Sequence, residues 1–136
     1  MTHTPRPSKR LNAALWFVQA LLSITFVGGA LWKFATPLEA ISAMIPWAGQ
    51  VSPTFLYFTA VVDLAGGLGV LLPSLTRIQP WLTVLAALGC ALLQASAIVF
   101  HISRGEAANT PFNFLLVALA LFVAWGRRKA PIQARA

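Results

Sequence analysis

Charged residues are scarce in this chain, and acidic residues above all. Of its 136 residues only 10% are charged, and just three are acidic: Glu39, Asp63 and Glu106. Soluble domains carry roughly 25% charged residues, so a small domain of this composition could not cover its surface in water. The scarcity therefore excludes an ordinary soluble enzyme and indicates a chain surrounded mainly by lipid.

Cysteine and histidine are nearly absent as well. The single cysteine, Cys90, excludes an intrachain disulfide and dithiol redox chemistry. His3 falls in the N-terminal tail, which leaves His101 as the only other histidine, so one chain could not hold a haem between two histidines. The sequence contains no nucleotide-binding glycine loop and no metal-ligand motif. We therefore predict no catalytic residue, no metal site and no cofactor of these classes.

The sequence is rich in long apolar runs. Hydrophobic residues make up 58% of the chain, and its mean hydropathy is +0.75. About 20 apolar residues in a helix cross a bilayer. Most of the tryptophans lie near the ends of such runs, as in the aromatic belt of membrane proteins. We expect an all-α, integral membrane four-helix bundle that forms a single domain over residues 1–136, with spans at residues 11–34, 53–73, 79–102 and 110–127.

The basic residues are concentrated in two tails, residues 1–10 and 127–136. Four spans would place both tails and Arg77 on one side of the membrane, opposite Lys33 and Arg104. By the positive-inside rule we expect both termini to be cytoplasmic, in the inner membrane of a bacterium. The partner that this pattern favours is the lipid bilayer rather than a nucleic acid. A cleaved signal peptide is the alternative for the first run.

The connection between the first two spans has the pattern of a short helix. One face of that helix would carry Leu38, Ile41, Met44 and Ile45, with Glu39 elsewhere. We expect a brief amphipathic helix that lies on the outer interface of the membrane.

Several polar residues fall within the outer half of the predicted spans. Asp63 lies ten residues into the second span, which is about 15 Å deep at 1.5 Å per residue. Gln94 and His101 are two helical turns apart and share a face. Since polar side chains in membranes face protein or water rather than lipid, we predict an outward-facing ligand-binding pocket lined by Lys33, Asp63, Gln94, His101 and Asn113.

Structural roles are the alternative for each of these residues. Lys33 could extend its amine to the outer headgroups or pair with Asp63. Gln94 could bond a neighbouring helix, while His101 and Asn113 could be interfacial residues at helix ends. We also expect small residues to let the first three helices pack closely around the aspartate: Gly28, Gly29, Gly66 and Gly67.

At these residues the chain resembles the DoxX and DoxX-like family of small bacterial four-span membrane proteins. The resemblance runs from about Trp16 to Arg127. It is carried by FVGGALWKF at 26–34, VVDLAGGLGVLLP at 61–73, AIVFH at 97–101, Asn113 and the closing WGR at 125–127. The family usually has glutamate where Asp63 stands. The resemblance implies a four-helix membrane protein, and some relatives are linked to quinone-coupled sulfur oxidation or to membrane complexes that handle oxidative stress.

Three functions remain open from the sequence. The first is a non-catalytic accessory or binding subunit of a quinone-linked redox system, with a redox enzyme as partner, in which Lys33, Asp63 and His101 could hydrogen-bond a quinone carbonyl. The second is a homo-oligomeric transporter or channel for a small solute or protons. The third is a self-contained membrane enzyme that uses Asp63 and His101 as acid and base.

Overall fold

The computed structural model describes residues 8–135, and its regular secondary structure there is entirely helical. Four helices are long and apolar enough to cross a membrane, which confirms the four predicted spans. A fifth, short helix lies between the first two of them. The helices are α1 (Lys9–Ala35), α2 (Leu38–Met44), α3 (Pro53–Thr76), α4 (Leu82–Ser103) and α5 (Pro111–Lys129), with 3₁₀ turns at Pro46–Gly49 and Ala107–Asn109.

Local sequence explains where these helices begin and end. The Ser8 hydroxyl caps α1 by accepting from the backbone of Arg10 at 3.2 Å, and Ser52 caps α3 by accepting from Phe55 N at 3.2 Å. Proline occupies the first position of α3 and α5, where no intrahelical N–H is needed. Arg77 ends α3 in the left-handed region, with φ of 60°.

The four spanning helices form a closed up-and-down ring. Helix α1 packs against α3, α3 against α4, α4 against α5, and α5 against α1. The core between them contains small and branched side chains from every spanning helix, including Leu22, Phe26, Val70, Ala87 and Ala120. Large apolar side chains such as Phe17 and Leu92 point outward, 69% and 70% exposed, as lipid-facing residues do.

We name the two ends of the bundle for what lies there. The α2 end holds α2 together with the start of α3, the end of α4 and the start of α5. The terminal end holds the start of α1, the α3–α4 turn, the end of α5 and the segment that follows it. The prediction that the terminal end is cytoplasmic stays a prediction. The first part of the predicted N-terminal tail, residues 1–7, lies outside the described residues.

Helix α2 is the short amphipathic helix that the sequence predicts. Its Ile41 is fully buried with Ala48 and Leu56, and it packs beside Trp47 over the ends of α1 and α3. Met44, which the sequence predicts on the apolar face of this helix, is 70% exposed. The helix turns Met44 outward and closes the bundle mainly through Ile41.

Candidate functional site

The Lys33 and Asp63 side chains form an ion pair between α1 and α3. Lys33 Nζ lies 2.9 Å from Asp63 Oδ2, and the two side chains are 14% and 15% exposed. Thr59 stands one helical turn before Asp63 on the same face of α3, and its hydroxyl accepts a longer bond of 3.4 Å from Lys33 Nζ. Because the helices run antiparallel, the last turn of α1 meets the middle of α3. The pair compensates two charges that would be costly to bury separately.

A second polar contact joins α4 to α5. Asn113 Nδ2 donates to Gln94 Oε1 at 2.7 Å. Gln94 is only 9% exposed, so this bond satisfies one of its polar atoms inside the bundle. The Gln94 amide nitrogen has two hydrogens, which remain available to a further acceptor.

His101 is held at the α2 end by an acidic residue from the loop after α4. Its Nδ1 lies 2.9 Å from Glu106 Oε2, while Arg104 Nε donates to Glu106 Oε1 at 3.2 Å. Arg104 also donates to the Gln50 side chain. The hydrogen bond from His101 and then the interactions with Arg104 lower the pKa of the Glu106 carboxyl below its ordinary value. An ionised carboxylate only accepts, so His101 donates to Glu106 through its Nδ1–H.

Residues from each of these three contacts line one cavity of about 510 Å³ at the α2 end. All five residues that the sequence predicts for a pocket line it: Lys33, Asp63, Gln94, His101 and Asn113. The rest of the wall is largely apolar and aromatic, and includes Phe26, Trp47, Phe55, Phe100 and Phe112. The Trp47 ring meets Phe100 edge to face at 5.7 Å between centroids, which fixes the aromatic wall.

Such a cavity combines an apolar enclosure with a few fixed hydrogen-bonding groups, the usual construction of a small-molecule site. The polar groups supply donors from Lys33 and Gln94, an acceptor from Asp63, and the imidazole ring of His101. Within residues 8–135 no group of three or more His, Cys, Asp or Glu side chains lies close enough to hold a metal ion.

The glycines around the aspartate play unequal parts in the packing. A Cβ on Gly67 would lie 2.8 Å from Val27 Cγ2 of α1, and one on Gly66 would lie 2.9 Å from Cys90 Sγ of α4. A Cβ on Gly28 or Gly29 would meet no atom within 4 Å. The expectation that Gly28 and Gly29 bring helices of this chain together is therefore wrong, since nothing approaches them.

A second buried polar cluster lies at the terminal end, and the sequence did not predict it. Arg127 is only 3% exposed. Its Nε donates to Gln19 Oε1 at 2.7 Å, and its Nη1 donates to Asn12 Oδ1 at 2.8 Å. Gln19 in turn donates to Val70 O at 2.8 Å and to Ser74 Oγ at 3.0 Å. The sequence predicts Arg127 in the basic tail, but the residue belongs to the buried end of α5.

Comparison with known proteins places the chain in a family. No curated protein and no solved structure gives a significant match. The model of the DoxX-like family matches residues 17–123, which include α2, α3 and α4 and most of α1 and α5. The matched region contains Lys33, Asp63, Gln94, His101 and Asn113 and so covers the whole cavity. The chain is thus a four-helix membrane protein that belongs to the DoxX-like family.

Proposed function

We propose that the protein is a binding subunit of a membrane redox system and that its cavity at the α2 end holds a quinone. One observation carries the proposal: polar side chains from all four spanning helices converge on one cavity whose remaining wall is apolar and aromatic. A volume of about 510 Å³ falls within the usual range for small-molecule sites. The redox association of the family makes quinone the ligand to test first.

The chemistry of the lining residues suits a quinone ring. A quinone offers two carbonyl acceptors on a flat apolar body, and its reduced form offers hydroxyl donors instead. Lys33 and the Gln94 amide can donate to a carbonyl, whereas Asp63 can accept from a hydroxyl. The His101 ring is held by Glu106 through Nδ1 at 2.9 Å, which leaves Nε2 as a further hydrogen-bonding group. The same set of groups therefore serves both forms of the ligand.

The arrangement favours binding over conduction through one chain. Between the polar residues of the α2 end and those of the terminal end, each spanning helix contributes apolar core residues. These residues are Leu22 and Phe26 of α1, Val70 of α3, Ala87 and Cys90 of α4, and Leu116 and Ala120 of α5. A path for ions would have to cross that layer, which offers no charged partner. The engagement of Asp63 by Lys33 at 2.9 Å also argues against a free acid–base residue in a self-contained enzyme.

Quinone binding can be measured by tryptophan fluorescence, because Trp47 lines the cavity. The full chain in nanodiscs of neutral lipid is titrated with ubiquinone-1, and saturable quenching is expected. The variant Gln94→Met/Asn113→Leu replaces both partners of one hydrogen bond by apolar groups of similar size, a change that is nearly neutral for folding. It removes donors from the cavity, and we expect at least tenfold weaker binding.

The control is Gln133→Met, which removes an exposed amide at the terminal end and should bind ubiquinone-1 as the unmodified chain does. Equal affinity in all three proteins would contradict the proposal. Quenching that rises without saturation would also contradict it, because it would show only partitioning of the quinone into the bilayer.

The role as a subunit has a separate test. The tagged protein, purified from its native membranes in mild detergent, should carry a dehydrogenase or reductase in fixed stoichiometry. Isolation alone, or only with further copies of itself, would contradict a role as accessory subunit while leaving the cavity to be judged by the quinone titration.

A further inference from the structure

A large groove lies at the terminal end, away from the candidate quinone site. Its volume is about 910 Å³, and it runs between the α3–α4 turn, the first half of α4 and the segment that follows α5. That segment returns toward the turn: Arg135 N donates to Arg77 O at 2.8 Å, and Arg77 Nε donates to Gln133 O at 2.9 Å. The returning segment and the first half of α4 both line the groove.

The groove is strongly basic. Four arginines line it: Arg77, Arg127, Arg128 and Arg135. None of the three acidic residues of the chain is among its lining residues. A concentration of guanidinium groups without carboxylates attracts an anion, and guanidinium groups recognise phosphate through paired hydrogen bonds.

Arg127 provides an independent reason to expect an anion here. Within residues 8–135 its side chain makes three hydrogen bonds, and all go to neutral oxygens, those of Gln19, Asn12 and Ala130. Its Nη2 is buried and has no partner among the described residues. Its guanidinium also lies 5.1 Å from the centre of the Trp16 ring. This nearly buried cation has no anionic partner within residues 8–135, a state that burial makes costly.

One stretch of the groove wall is apolar and follows a spanning helix. Val84, Leu85 and Leu88 form it along α4, and Trp81 stands at its start. Leu85 and Leu88 are 56% and 47% exposed, as residues facing lipid chains would be. A tryptophan at the start of a span is typical of the headgroup level of a bilayer. The groove therefore combines arginines with an apolar stretch of α4 at the level where a phospholipid changes from headgroup to acyl chain.

We propose that this groove binds an anionic phospholipid, with its phosphate among the four arginines and an acyl chain along the Val84–Leu88 face of α4. Charge complementarity selects an anionic lipid over a zwitterionic one. The apolar wall selects a lipid over a soluble phosphate, which would leave that wall uncovered. The site is separate from the quinone cavity, and neither proposal depends on the other.

The test is native mass spectrometry of the full, delipidated chain in detergent with added dioleoyl phosphatidylglycerol or dioleoyl phosphatidylcholine. We expect phosphatidylglycerol to bind at least tenfold more tightly. In the variant Arg128→Gln/Arg135→Gln both changed residues are exposed and have no side-chain hydrogen bond among the described residues, so the fold should persist. Each basic residue near an anionic headgroup contributes about 1 kcal/mol, or about fivefold in binding, so the double variant should lose about 25-fold.

The matched control is Lys9→Gln/Arg10→Gln, which removes the same charge from exposed residues at the same end but outside the groove. It should keep the affinity for phosphatidylglycerol within about threefold. An equal loss in the control would overturn the proposal, because charge alone and not the groove would then bind the lipid. Displacement of the lipid by millimolar glycerol 1-phosphate would overturn the proposal in favour of a soluble phosphate ligand. Equal binding of phosphatidylglycerol and phosphatidylcholine would also overturn it, because the groove would then not select an anionic lipid.

Discussion

The ion pair between Lys33 and Asp63 should stabilise the bundle only as a pair. At 2.9 Å and an effective dielectric constant of about 20, the gross attraction is about 6 kcal/mol. Much of that offsets the cost of removing both charges from water. Lys33→Met or Asp63→Leu alone leaves one uncompensated charge, which costs about 3–5 kcal/mol at buried sites. The side chains are 14% and 15% exposed, so we expect about 3 kcal/mol for each single variant.

The double variant Lys33→Met/Asp63→Leu should lose about 1 kcal/mol or less, because apolar groups then replace the whole pair. The free energy of unfolding is measured by denaturation in mixed detergent micelles and followed by circular dichroism. Lys129→Met, an exposed lysine at the terminal end, should change stability by at most about 0.5 kcal/mol. If the two single losses simply added in the double variant, the side chains would not be coupled and the reasoning would be refuted.

Two further predictions concern packing and pH. Gly67→Ala should destabilise the bundle by about 1–3 kcal/mol in the same denaturation assay, because its Cβ would lie 3.0 Å from Val27 N in the backbone of α1. The control is Gly28→Ala, whose Cβ would meet no atom within 4 Å. It should be neutral or should stabilise the bundle by up to about 1 kcal/mol. The lowered pKa of Glu106 means that its bond to His101 stabilises the loop above the ordinary carboxyl value of 4.5 and is lost as the pH falls through the lowered value. Amide exchange in residues 104–110, corrected for intrinsic rates, should therefore accelerate at low pH; Glu106→Gln should abolish that dependence, and an unchanged dependence would refute the assignment.

The spanning helices could be predicted from the sequence because the information is local. A run of about 20 apolar residues requires a helix in lipid, since its backbone groups have no other partners. Depth along a helix then placed Lys33, Asp63, Gln94, His101 and Asn113 at one end. The structure brings them to one cavity because antiparallel neighbours meet at equal depth.

Glu106 was missed because its contact with His101 depends on how the loop turns. Gly105 adopts φ of 75°, and Glu106 N donates back to His101 O at 2.8 Å. This is the geometry of a glycine that ends a helix and reverses the chain. The sequence has His101, Gly105 and Glu106 in this order at the end of a span. That order indicates the contact between His101 and Glu106 only if Gly105 is recognised as the glycine that ends α4.

Arg127 was misplaced for a different reason. A basic residue after an apolar run is typical of a solvated flank, and no spacing rule connects it to Gln19, a residue 108 positions earlier. Arg127 is buried because α5 packs against α1 in the tertiary structure. Gly126 supports that packing, since the Leu15 side chain occupies the space that a Cβ on Gly126 would need.

The central claim is that the cavity at the α2 end is a quinone site, and photoaffinity labelling tests it most directly. An azidoquinone is added to native membranes that contain the protein, then activated by light, and the labelled peptides are identified by mass spectrometry. The claim predicts labels on Trp47 and Phe100, reduced by excess unlabelled quinone, because both residues line the cavity. Labels confined to lipid-facing residues such as Phe17 and Leu92, and insensitive to competing quinone, would contradict it.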